Sequence, residues 1–132
     1  MELRYITEED IITAQKWTED WGKTPIDFDM YPTTGLVLED EGEGVWMGFV
    51  WFPKSSKMAQ IGFITRNRHY SKGSVAKQHL KNFIQELTLY CYNEGYRYVI
   101  TWGEATSIVK AFKELGFTES SNNVSELIVK LA

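Results

Sequence analysis

Arg66, Arg68, His69, Lys72 and Lys77 fall within twelve residues of a chain whose formal net charge is −4, so positive charge is concentrated locally against an acidic background. The stretch around them, Arg66-Asn-Arg-His-Tyr-Ser-Lys-Gly-Ser-Val75, is polar and ends in small residues. Such a stretch suits anion binding if a strand feeds a helix through it, because the first backbone N–H groups of a helix have no partner within it. Gly73 permits close backbone approach, Ser71 and Ser74 are small donors, and Arg68 and Lys72 can pair with phosphate oxygens. A pyrophosphate fits this description. A merely solvated basic loop at a helix start has the same pattern and is the commoner case.

Other reactive side chains carry weaker signals. His69 sits in the same basic stretch, where an exposed imidazole usually only titrates with solvent, and His79 falls on the polar side of a helical pattern. Cys91 is the single cysteine, lies on an apolar stripe and has no charge pattern beside it that marks a nucleophile. No Cys/His cluster has zinc spacing, so the sequence supports neither a metal site nor a disulfide framework.

The elements that must position the basic stretch can be read from periodicity. Residues 2–6 alternate and run into Thr7-Glu8-Glu9-Asp10, a hydroxyl N-cap before an acidic first turn, which predicts a strand and then a helix stopped by Gly22 and Pro25. Residues 26–32 read as a loop. Gly35 to Leu38, the acidic turn 39–44 and Val45 to Phe52 predict a hairpin, and Met58 to Thr65 a third strand of the meander. Ala76, Leu80, Phe83, Ile84, Leu87 and Cys91 then form the apolar stripe of a helix of about five turns. A strand over 96–102, a short helix over 108–115 ended by Gly116, and a last strand over 126–131 complete the order β-α-β-β-β-α-β-α-β. This is a single α/β (α+β) domain spanning 1–132, with a mixed, mostly antiparallel sheet flanked by helices. Trp46 and Trp51, an odd number of residues apart, are expected on opposite faces of that sheet.

Composition excludes several classes of function. With 43% apolar, 14% aromatic and 24% charged residues, the 132-residue chain is globular rather than disordered or fibrous. The acidic balance argues against nonspecific nucleic-acid binding. No apolar run reaches membrane-span length and the first residues lack a signal-peptide core, so the expectation is a cytoplasmic protein with no membrane partner.

The element order, the basic loop and the ending Ala105-Thr-Ser-Ile-Val-Lys-Ala-Phe-Lys-Glu-Leu-Gly-Phe117 together resemble the GCN5-related N-acetyltransferase (GNAT) superfamily over nearly the full chain. A looser similarity is to acetyltransferase-like proteins of short-tailed bacteriophages. The resemblance implies a sheet that splays open between its fourth and fifth strands, acetyl-CoA lying in the gap, and an Arg/Gln-x-x-Gly-x-Gly/Ala loop holding the pyrophosphate. This loop fits in two registers, Arg68 to Gly73 or Ser71 to Ala76, each with a serine replacing a glycine. Either way Ser71, Lys72, Gly73, Ser74 and Val75 supply the implied amides, and Phe63, Ile64 and Thr65 the implied strand-four contacts.

The chemistry so implied is direct attack of an amine on the thioester, with a base, a polarising backbone N–H and an acid for the departing thiolate. The acceptor is a small-molecule or protein amine. Glu104, just past the fifth strand, is the candidate base, and the acidic turn with Glu39, Asp40, Glu41 and Glu43 is a weaker one. The family's acid is a tyrosine four residues before Gly-Phe, where this chain has Phe112, and a frequent asparagine is replaced by Ala105. Those departures favour the alternative, a catalytically degenerate GNAT-fold protein that binds a protein partner or serves phage assembly in a host cytoplasm.

Overall fold

The computed structural model describes residues 1–103, 106–121 and 124–131. Its strands β1 (Glu2–Tyr5), β2 (Gly35–Asp40), β3 (Glu43–Trp51), β4 (Met58–Arg66) and β5 (Tyr98–Thr101) make one sheet in the order β1-β2-β3-β4-β5. The first four strands are antiparallel neighbours and β5 runs parallel to β4. Helix α1 (Glu8–Asp20) follows β1, α2 (Gly73–Asn93) joins β4 to β5, and α3 (Thr106–Glu114) follows β5. The parallel pair needs a long crossover, and α2 supplies it.

Each helix is set by the signals expected of it. At the start of α1 the Thr7 N–H and hydroxyl both donate to Asp10 Oδ2, at 2.8 and 3.0 Å, and Arg4 donates to both Asp10 oxygens at 2.7 and 2.8 Å. Gly22, Gly95 and Gly116 take positive φ after the three helices, as left-handed terminators must. The stripe on α2 packs on the sheet with Leu36, Leu38, Trp46, Val50 and Ile61, while α1 packs on the opposite face with Val37, Met47 and Phe49. The packing against α2 is close: a Cβ on Gly48 would lie 2.6 Å from Leu87 Cδ1.

One expected element is missing. Among the described residues, 124–131 pair with no strand, and Val124, Leu127, Ile128, Val129 and Leu131 are all exposed. The apolar, β-branched composition that predicts a strand at 126–131 is a preference for a half-buried pleated surface, and this segment does not lie on one. Its recorded tether is instead Lys130 Nζ to Asp27 Oδ2 at 3.1 Å.

Candidate functional site

The cleft originates in β4. Opposite Gly48 of β3, β4 carries two residues, Phe63 and Ile64, because the register passes from Phe49–Gly62 to Met47–Thr65. This is a β-bulge, and Phe63 takes φ 52° within it, a left-handed conformation that costs a non-glycine residue about 1 kcal/mol or more. On the other edge, pairing to β5 ends at Ile61–Thr101, where the Thr101 hydroxyl donates to the Ile61 carbonyl at 2.7 Å. Beyond that point the peptide groups of Phe63 to Arg66 that face away from β3 have no strand partner among the described residues.

A cleft of about 820 Å³ opens where the strands part. Phe63, Ile64, Thr65 and Arg66 of β4 line it, with Trp21 and Tyr31 on the α1 side and Leu80, Ile108 and Ala111 on the α2 and α3 side. Among the described residues five cations, Lys23, Arg66, Lys77, Lys81 and Lys110, face one carboxylate, Glu114, in this lining. Glu114 contacts Lys81 at 3.7 Å and Lys110 at 4.0 Å. The described lining thus carries a net excess of four positive charges in a chain of net charge −4, which suits an anion.

The basic stretch links β4 to α2 between Arg66 and Lys77, both of which line the cleft, while Arg68 and Ser71 to Val75 are not among its lining residues. Helix α2 begins at Gly73, and its first backbone bond to a preceding residue runs from Ala76 N–H to the Lys72 carbonyl at 3.0 Å. The N–H groups of Ser71, Lys72, Gly73, Ser74 and Val75 have no acceptor among the described residues, and no acidic side chain sits in the first turn. These amides carry the partial positive charge of a helix start.

Several cations of the stretch already have protein partners. Arg68 donates to the Asp20 carbonyl at 2.8 Å and lies over the Trp21 ring at 5.4 Å, and His69 Nε2 is 3.4 Å from Asp20 Oδ2. Lys72 lies 3.7 Å from Asp40, which also accepts a 2.5 Å hydrogen bond from Tyr70. That bond holds the Asp40 carboxyl below its usual range and pushes Tyr70 up to about 12. Glu39 is bound to Arg4 at 3.2 Å, so two of the hairpin acids serve the fold. Arg66 is held over Trp21 at 4.8 Å, and Trp21 Nε1 donates to the Arg66 carbonyl at 2.9 Å, which fixes the end of α1 as a wall of the cleft.

Phe112 is buried, 4% exposed, and packs edge-on against Phe117 with ring centroids 4.9 Å apart. It is not part of the cleft lining. Trp102 leans on Trp51 and Phe63, at 6.0 and 6.5 Å, rather than filling the cleft, and Trp46 and Trp51 do occupy opposite faces. His79 is partly exposed on α2, while burial raises the Cys91 thiol to about 11, an inert core position. Glu104 and Ala105 lie outside the described residues.

Sequence reading missed Lys81 and Lys110, which converge only when α2 and α3 pack together, and Tyr31, which lies in an aperiodic loop. Tyr31 is 8% exposed, its ring stacked at a tilt on Phe49 and Phe63 at 4.9 and 5.2 Å. Among the described residues there is no group of three or more His, Cys, Asp or Glu that could hold a metal ion, and no helix is long and apolar enough to cross a membrane.

No protein-family model matches the sequence, and no curated protein matches it. Solved structures do. A protein of unknown function from methicillin-resistant Staphylococcus aureus, SA2161, described as a probable acetyltransferase, matches with a TM-score of 0.66 and 16% identity over 98% of both chains. Ribosomal-protein-alanine N-acetyltransferase from Brucella melitensis matches with a TM-score of 0.66 and 17% identity, over 92% of this chain and 86% of that one. Rv2747 from Mycobacterium tuberculosis, solved in complex with CoA, matches with a TM-score of 0.68 and 14% identity, over 92% of this chain and 74% of that one. At these identities the likeness concerns the fold, which is that of the GNAT acetyltransferases.

Proposed function

We propose that the protein binds acetyl-CoA in the β4–β5 cleft and transfers the acetyl group directly to the amine of a small molecule or protein. The observation that carries this reading is the cleft itself: strands that part at a β-bulge, a lining with excess positive charge, and free helix-start amides in the segment between two of its lining residues, Arg66 and Lys77. In this reading the N–H groups of Ser71 to Val75 receive the pyrophosphate, helped by Lys72 and Arg68, which retain donors beyond those used for Asp40 and Asp20. Lys77, Lys81 and Lys110 suit a further phosphate. The β4 peptide groups at Phe63, Ile64 and Thr65 suit the pantetheine amides and the thioester carbonyl, which a preorganised N–H polarises. Glu104 is assigned the proton of the incoming ammonium, leaving a neutral amine to attack. The bacterial and mycobacterial neighbours support this reading through their fold, and the CoA bound to Rv2747 supports the class of cofactor. A cytoplasmic setting, or a host cytoplasm for a phage-encoded chain, would supply both substrates.

A second reading, a GNAT-fold protein that keeps the cleft but performs binding or phage assembly without chemistry, is favoured by Phe112 being buried where the family's acid would stand. Thiol release from acetyl-CoA across a panel of primary amines separates the two. Transfer predicts release that depends on the amine, with one acetylated product per thiol. Binding of acetyl-CoA with no amine-dependent release supports the second reading.

A further inference from the structure

The cleft carries more positive charge than the cofactor phosphates use. In the reading above those phosphates lie toward α2 and α3, where Lys77, Lys81 and Lys110 face Glu114. Among the described residues two lining cations remain, Lys23 just after α1 and Arg66 at the end of β4. Both belong to the α1 side. The Lys23 backbone N–H bonds to the Thr18 carbonyl at 3.2 Å, and the Arg66 guanidinium lies over Trp21 at 4.8 Å, closer than to Trp46 at 6.0 Å. The rest of the described lining on that side, Thr18, Trp21, Thr24, Ile26 and Tyr31, carries no charge. The acids that flank Lys23 in sequence are engaged elsewhere, Asp20 by His69 at 3.4 Å and Asp27 by Lys130 at 3.1 Å. Among the described residues neither Lys23 nor Arg66 forms an ion pair. Arg66 is half-buried and its recorded side-chain bond is to the Gly73 carbonyl at 3.4 Å, so a planar cation with donors to spare is held against the indole.

We infer that the acceptor is an amine that carries its own acidic group, a carboxylate or a phosphate, which pairs with Lys23 and Arg66. The inference rests on the acetyl-CoA reading above. A simple amine or a polyamine arrives as a cation, and walls of like charge repel it. An acidic group on the same molecule turns that repulsion into attraction and ties the acceptor to the α1 wall. That wall meets β4 where Tyr31 and Phe63 pack with ring centroids 5.2 Å apart, beside the peptide groups assigned to the thioester. The positive field also disfavours the ammonium form of the bound amine, which eases loss of its proton before attack. Polycations are thereby selected against as well as left unrewarded.

Calorimetric titration of the CoA-saturated protein with matched amines tests this: phenylalanine against phenethylamine, phosphoethanolamine against ethanolamine, and spermidine as a polycation. CoA carries no acetyl group to transfer, so the readout is binding alone. One charge-assisted contact predicts that the acidic member of at least one pair binds roughly tenfold or more tighter than its partner, with a preference that shrinks as salt is raised. The pair that shows it tells carboxylate from phosphate. Lys23→Gln, at an exposed position, and Arg66→Gln are each expected to cut the preference severalfold. Equal binding within both pairs, tighter binding of spermidine, no binding by either acidic amine, or a preference that survives both substitutions overturns the inference while leaving the cleft as a CoA site. Absence of CoA binding in the first titration overturns the acetyl-CoA reading and this inference with it.

Discussion

Replacing Gly73 by glutamate should raise stability and abolish acetyl-CoA binding, two effects of opposite sign from one side chain. A Cβ at Gly73 would meet nothing within 4 Å, and the residue is not in the positive-φ region, so the backbone accepts the change. Gly73 is the first residue of α2, where no acid now complements the helix start. A carboxylate there is worth about 0.3–1 kcal/mol through the helix dipole, and loss of glycine's freedom in the unfolded chain adds a few tenths or more. Together these give about 1 kcal/mol, a rise in Tm of roughly 3–5 °C for a domain of this size. The same carboxylate would stand among the amides assigned to the pyrophosphate. Two unit charges 4 Å apart near a protein surface repel by about 4 kcal/mol, which corresponds to roughly a thousandfold loss of affinity. Differential scanning calorimetry reads the first effect and isothermal titration with acetyl-CoA the second. A variant that melts higher and still binds acetyl-CoA as the wild type does would refute the placement of the pyrophosphate at α2.

Two further predictions follow from the packing. Phe112→Tyr puts a hydroxyl into the core beside Phe117, so it should lower stability by about 1–3 kcal/mol in a thermal melt and confer no gain in thiol release; an unchanged Tm with increased release would mean that the ring faces the cleft. Burial alone would raise the Asp10 pKa, but the Arg4 and Thr7 hydrogen bonds outweigh it and hold the carboxyl below its ordinary 3.8. Asp10 therefore contributes stability that is present above 3.8 and lost as pH falls through the folded value. Asp10→Asn should flatten the fall in Tm below about pH 4, and an acid limb as steep as that of the wild type would count against the assignment.

Much of this architecture is legible in the residues because local rules agree with the tertiary fold. Thr7 to Asp10 announce α1, the stripe from Ala76 to Cys91 becomes the buried face of α2, and Gly22, Gly95 and Gly116 end helices. The loop before α2 is visible as a basic segment, and its free amides follow once the helix begins at Gly73. What escaped was set by contacts distant in sequence. The bulge at Phe63 depends on a register with β3, and the convergence of Lys81 and Lys110 depends on two helices meeting. Tyr31 owes its burial to Phe49 and Phe63, to which no periodicity in residues 26–32 points. Residues 126–131 err in the other direction, since strand propensity without a paired edge produced no strand.

Calorimetric titration of the wild-type protein with acetyl-CoA tests the central claim most directly. A cleft with excess positive charge and free α2 amides predicts saturable binding at one molecule per chain, with affinity that falls as salt is raised. At about one hundred times the dissociation constant the ligand should add roughly 2.7 kcal/mol to the stability of the folded state. The absence of any binding heat or thermal shift at millimolar acetyl-CoA would contradict the account and leave a GNAT fold without its cofactor.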